Sequence, residues 1–134
     1  MVFDPAIVHS SREEFLKWYD DLTQWGEGHS YCDPVVTTTK LKDWYGKMIE
    51  DFPAMNGPDA TQDPNCDHPS QTDYCISKSA IYAGFRWSLA DVALTKVFET
   101  AKICGVCFYD VGDENSGIWI PDVNEGYKVV FEVN

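Results

Sequence analysis

The hydrophobic positions of this chain fall into short periodic runs separated by polar punctuation. Between Ser11 and Trp25 the residues Phe15, Trp18, Tyr19, Leu22 and Trp25 recur at three- and four-residue steps, which puts them on one helical face. Ser11 and Glu14 stand at capping-box spacing ahead of that stripe, each able to satisfy the other's orphan backbone N–H, and Gly26 and Gly28 supply a stop. A second stripe of Leu41, Trp44, Tyr45, Met48, Ile49 and Phe52 predicts a helix from about Thr39 to Phe52. Pro53 ends it, because the residue before a proline avoids the helical region. Matching aromatic stripes on consecutive helices predict an antiparallel helical hairpin.

The pattern then changes. Residues 53–72 show no period and carry Pro53, Asn56, Gly57, Pro58, Pro64 and Pro69, which predicts a long loop of the kind that is usually functional or disordered. From Asp73 to Trp87 the β-formers Tyr74, Ile76, Ile81, Tyr82, Phe85 and Trp87 predict strand. Two readings are open there: a hairpin turning at Lys78 and Ser79, or one long strand with a bulge. Ser88 and Asp91 repeat the capping-box spacing before a third helix whose broad apolar face is Val92, Leu94, Thr95, Val97, Phe98 and Ile103, with Gly105 suited to its C-terminal cap. Val106 to Val111 and Ile118 to Ile120 predict two strands around a polar turn at 112–117, and Tyr127 to Val133 is placed to add a last one. The fold class is therefore α+β: an N-terminal helical hairpin packed with a small, mostly antiparallel sheet and a third helix. A crossover from Tyr82 to Tyr109 would make the sheet mixed. A length of 134 residues predicts one domain over 1–134.

Charge narrows the functional classes. With 22 acidic and 10 basic side chains the chain carries a formal charge of −12. That balance excludes nucleic acid and anionic membrane as partners, since both need a basic footprint, and favours either a basic partner or plain solubility. No run approaches 18 apolar residues, so no membrane span is expected. Met1 to Val8 has no basic segment before an apolar run and does not read as a signal peptide. Together with five cysteines, an odd number, this predicts reduced thiols and a cytoplasmic location.

Enzyme chemistry finds little support in the motifs. Cys104 and Cys107 have thioredoxin-like spacing, but they follow a helix and enter a strand, so the thiols meet a helix C-terminus that disfavours a thiolate. Cys66 and His68, with Cys75, Cys104 and Cys107, lack the second close pair that a structural zinc site needs. His9, His29 and His68 all fall in predicted loops, where His29 with Asp33 and His68 with Asp67 form ordinary neighbour pairs. Asp20/Asp21 and Asp113/Glu114 read as solvated acids, because no apolar pocket around them would raise a pKa. The tryptophans 18, 25, 44, 87 and 119 read as core, with one or two available as interface anchors. No catalytic residue, metal or cofactor is predicted.

The acids are clustered. Six lie in 50–73 with no basic residue, and six more between Asp110 and Glu132 share only Lys128. If Asp73 and the turn at 112–117 lie at one end of the sheet, both segments face one side and steer a basic partner toward it. The partner-binding residues predicted on this basis are Asp59, Asp63, Asp67, Asp110, Asp113 and Glu114, with Tyr109 and Trp119 as less polar anchors within the acidic rim.

The segments Val2 to Val8, Arg12 to Tyr19 with Thr23 to Trp25, Phe52 to Pro58, Asp73 to Ile76 with Ile81 to Ser88, and Gly105 to Val111 with Ile118 to Pro121 also carry a resemblance. Over about residues 2–122 the chain resembles a family of small acidic bacterial cytosolic proteins associated with the immunity proteins of polymorphic and contact-dependent toxin systems, and residues 123–134 stand as a C-terminal extension beyond that pattern. The resemblance implies a non-enzymatic protein that binds and neutralises a cognate toxin domain, and implies no catalytic residue. The alternative expectation is a small-ligand binder or enzyme with the 53–72 loop as a lid.

Overall fold

The computed structural model describes residues 1–7, 11–60, 71–110, 117–122 and 126–132. Its elements in chain order are β1 (Val2–Phe3), α1 (Arg12–Leu22), a 3₁₀ turn (Pro34–Val36), α2 (Thr39–Met48), β2 (Asp73–Ile76), β3 (Ala80–Gly84), a second 3₁₀ turn (Trp87–Leu89), α3 (Ala90–Cys104), β4 (Cys107–Tyr109), β5 (Gly117–Asp122) and β6 (Gly126–Glu132). The strands form one sheet in the order β2-β3-β1-β4-β5-β6, and every neighbouring pair is antiparallel. This is the expected α+β class, and the mixed sheet does not arise. The two-residue strand β1 inserts between β3 and β4, so the chain crosses from β3 through α3 to β4 without the two strands touching.

Strand alternation builds two cores. Ile81, Val2, Phe108 and Trp119 stand opposite one another across β3, β1, β4 and β5 and face one side. Phe3, Ala80, Cys107, Tyr109 and Ile118 face the other. On the first side lie α2 and α3, which bring Leu41, Trp44, Met48, Ala93, Val97 and Ala101 into contact with the sheet. The Trp44 indole Nε1–H donates to the Val97 carbonyl at 3.3 Å and ties the two helices together. On the second side lies α1 alone, whose Phe15 meets Phe3 at 5.8 Å and Tyr109 edge-on at 5.1 Å between ring centres.

The helical hairpin is thus replaced by a three-layer arrangement. Helical periodicity states which stripe of a helix is buried, but not which face of a sheet receives it. Here α2 pairs with α3, and α1 sits across the sheet from both.

Local signals fared better, with exceptions. Ser11 caps α1, its hydroxyl accepting the Glu14 N–H at 3.2 Å. The helix ends at Leu22, earlier than the stripe implied, and Trp25 lies beyond it in a left-handed conformation at φ 53°, packed on Tyr31. The second helix stops at Met48 rather than Phe52. Gly105 closes α3 in the left-handed region at φ 71°. The expected Ser88 cap does not form: the chain enters α3 through the 3₁₀ turn, with Leu89 at the cap position and no side-chain bond there. Of the two readings of 73–87, the hairpin is the observed one, turning through Ser77 and Lys78 to Ala80, and the strand ends at Gly84 rather than Trp87. The tail contributes β6, paired with β5.

The outer edge of β2 is covered. The Ile76 N–H donates to the Tyr31 carbonyl, so the loop before α2 occupies what would be an open strand edge. That loop is held by Glu27, which accepts from the His29 ring at 2.7 Å and from the Lys78 backbone N–H at 3.0 Å. It is also held at Gly57, whose φ of 88° and close approach to the Cys32 carbonyl leave no room for a side chain.

A candidate partner-binding groove

Both β3 and β4 run antiparallel to β1, hence parallel to each other, and Asp73 pairs with Gly84 at the end of β3. Asp73, the chain leaving β3 and the chain leaving β4 at Asp110 therefore lie at one end of the sheet, while residues 111–116 of the second acidic segment lie outside the described residues. At this end a groove of about 300 Å³ opens between the start of α3 and the ends of β3 and β4. Its floor is apolar, made by Phe85, Val97 and Phe108 above Trp44. Trp87 and Leu94 also line it, together with the acidic residues Asp91 and Asp110.

Trp87 is the outstanding member. Its side chain is 94% exposed, against zero for Trp44. The cause is local. Once the strand ends at Gly84, the 3₁₀ turn re-aims the chain before α3 begins, and Trp87 leads that turn instead of continuing the strand's inward alternation. Positions 87, 91 and 94 then follow at helical spacing, so Trp87, Asp91 and Leu94 share one wall.

The sequence-predicted residues divide sharply. Asp110 lines the groove and is half-buried. Asp59 is exposed but lies elsewhere, accepting a hydrogen bond from the Tyr45 hydroxyl at 3.2 Å in a shallow depression beside Val35 and Pro58. Asp63, Asp67, Asp113 and Glu114 lie outside the described residues. Tyr109 is not a surface anchor: it is buried on the α1 side between Phe15 and Tyr19, where burial and the Asp110 carboxylate push its phenol up. Trp119 is half-buried and edge-on to Phe98 at 5.4 Å, so it extends the α3 core. Trp87 and Asp91 are the residues sequence reasoning placed in other roles. The signal that separates Trp87 from the strand is Gly84, which breaks the apolar alternation before it.

Several titratable side chains away from the groove are engaged structurally. His29 pairs with Glu27, not with Asp33, whose carboxylate instead caps the first 3₁₀ turn by accepting the Val35 N–H at 3.0 Å. The bond to Glu27 raises the His29 pKa. Partial burial pushes Glu27 up, but the bonds from His29 and the Lys78 N–H outweigh it and hold the carboxyl below its ordinary range. Burial pushes the Cys107 thiol up to about 12, and raises Cys75 and Cys104 as well. His9, Cys66 and His68 fall outside the described residues. Among the described residues no three potential metal ligands gather, and no helix is long and apolar enough to cross a membrane.

No family model, no curated protein and no solved structure matches this chain. The groove therefore stands on its own geometry.

Proposed function

We propose that this chain is a non-enzymatic immunity protein of the bacterial cytoplasm, which binds a basic toxin domain by charge-complementary contact and blocks it. The observation that carries the reading is the pairing of an almost fully exposed tryptophan with two carboxylates around an apolar groove, on a chain of net charge −12. Exposed aromatic surface of this kind is typical of contact sites, and tryptophan is among the residues that most often dominate binding energy. The acidic field supplies encounter rate and partner choice, and the apolar groove supplies affinity. The resemblance over residues 2–122 points the same way. Raised thiol pKa values and a histidine committed to a loop clip support a non-catalytic role.

The alternative of a loop lid over a ligand pocket is weaker. The described part of that loop packs on Cys32 and Tyr45, and no residue of 53–60 lines the groove. The test is co-expression with the toxin domain encoded immediately beside this chain's gene. Protection by the wild type, with slower association after Asp110→Lys, Asp113→Lys and Glu114→Lys together, supports the reading. Unrelieved growth arrest, or a neighbouring gene without toxic activity, overturns it.

A further inference from the structure

Resting on that reading, we infer that the groove between Trp87 and Asp110 is the docking point and that it receives an arginine side chain of the partner protein. Three features of the groove select this occupant. Its volume, about 300 Å³, is at the low end for a ligand site and suits one long side chain rather than a folded element. Its apolar floor of Phe85 and Phe108 suits the methylene stem of such a side chain, which buries its carbons and keeps its charged head at the mouth. Its rim offers what a guanidinium uses: an open indole face for stacking and cation–π attraction at Trp87, and the exposed carboxylate of Asp91 for a bidentate charge-assisted bond.

Asp110 adds a second carboxylate to the lining of the groove. Two carboxylates around one small groove repel an anionic ligand, and a purely apolar ligand would leave Asp91 desolvated without a partner. Lysine meets the charge but not the geometry, since a compact ammonium neither stacks on the indole nor forms a paired bond with a carboxylate.

The experiment is a titration of the full chain with the peptide acetyl-Gly-Arg-Gly-amide, followed by the Trp87 indole N–H resonance, which its loss in Trp87→Phe identifies. The expected result is a saturable shift of that resonance. Binding should be at least tenfold weaker when citrulline replaces arginine, weaker with lysine, and at least threefold weaker in Asp91→Asn. Thermal unfolding of Asp91→Asn should fall only slightly below that of the wild type, because the residue is exposed and loses no more than its favourable charge in the first turn of α3. Absence of a saturable shift, equal binding of the citrulline or lysine peptide, or indifference to Asp91→Asn would overturn the inference. Toxin protection in the co-expression assay that persists unchanged in Trp87→Ala would also overturn it while leaving the immunity reading intact. Failure of the wild type to protect would instead remove the immunity reading.

Discussion

The two faces of the sheet are covered in different ways. On the α1 face a single helix suffices, because Phe15, Trp18 and Tyr19 bury wide aromatic rings against Phe3 and Tyr109, and no large hydrophobic residue of α1 is fully exposed among those described. On the other face two helices build the larger core, yet this side leaves apolar surface in water. Trp87, Val92, Leu94 and Ile103, all within the turn and helix at 87–103, are exposed. One face is closed and serves stability. The other leaves apolar side chains in water along the length of α3, and the end that holds Trp87 is where Asp73, Asp91 and Asp110 lie.

The sharpest way to break this comparison is to cut into each core. Trp44→Ala removes a fully buried ring and the bond between α2 and α3, and should cost about 3–5 kcal/mol in denaturant unfolding. Phe15→Ala, on the single-helix face, should cost less, near 3 kcal/mol, because two of its neighbours, Trp18 and Tyr19, are partly exposed rings that can close over the gap. A larger loss for Phe15 would reverse the ranking of the faces. Next comes Gly57→Ala, expected to cost about 1–3 kcal/mol, since a β-carbon there meets the Cys32 carbonyl and the backbone is left-handed. An unchanged unfolding midpoint would mean that this loop contact is not held.

A smaller effect should appear as pH dependence in the Glu27–His29 clip. Glu27 titrates below its ordinary 4.5 in the fold, so its contribution is complete above that value and is lost as pH falls through the folded pKa. His29 titrates above its ordinary 6.5, so its contribution is complete below that value and is lost as pH rises through the folded pKa. The stability difference between the wild type and Glu27→Gln should therefore be greatest between pH 4.5 and 6.5 and shrink on both sides. A difference that is flat with pH would show that the pair does not hold the loop.

The part of this architecture that the sequence carried was local. The Ser11 cap and the Gly105 stop follow from residue chemistry within a few positions, whereas the run at 73–87 left a hairpin and a bulged strand both open. Pairing between distant elements was hidden. A two-residue strand at Val2–Phe3 is too short to show any period, yet it is the strand that joins β3 to β4. The site was half legible for the same reason. Asp110 follows from charge clustering and lines the groove, whereas Tyr109 was misplaced because a sheet covered on both faces buries both phases of a strand's alternation. Trp87 was hidden by its composition: after Phe85 it reads as one more β-former, and only the turn that follows Gly84 takes it out of the sheet.

That tryptophan offers the most direct test of the account. Trp87→Ala should leave folding stability within about 0.5 kcal/mol of the wild type, because the side chain is 94% exposed. Calorimetric titration of wild type and variant against the proposed partner, a toxin domain encoded beside the gene, should nevertheless show at least a tenfold loss of affinity, about 1.4 kcal/mol or more. Equal affinities, with the fold intact, would contradict the claim that the open end of the α2–α3 face is where the partner binds.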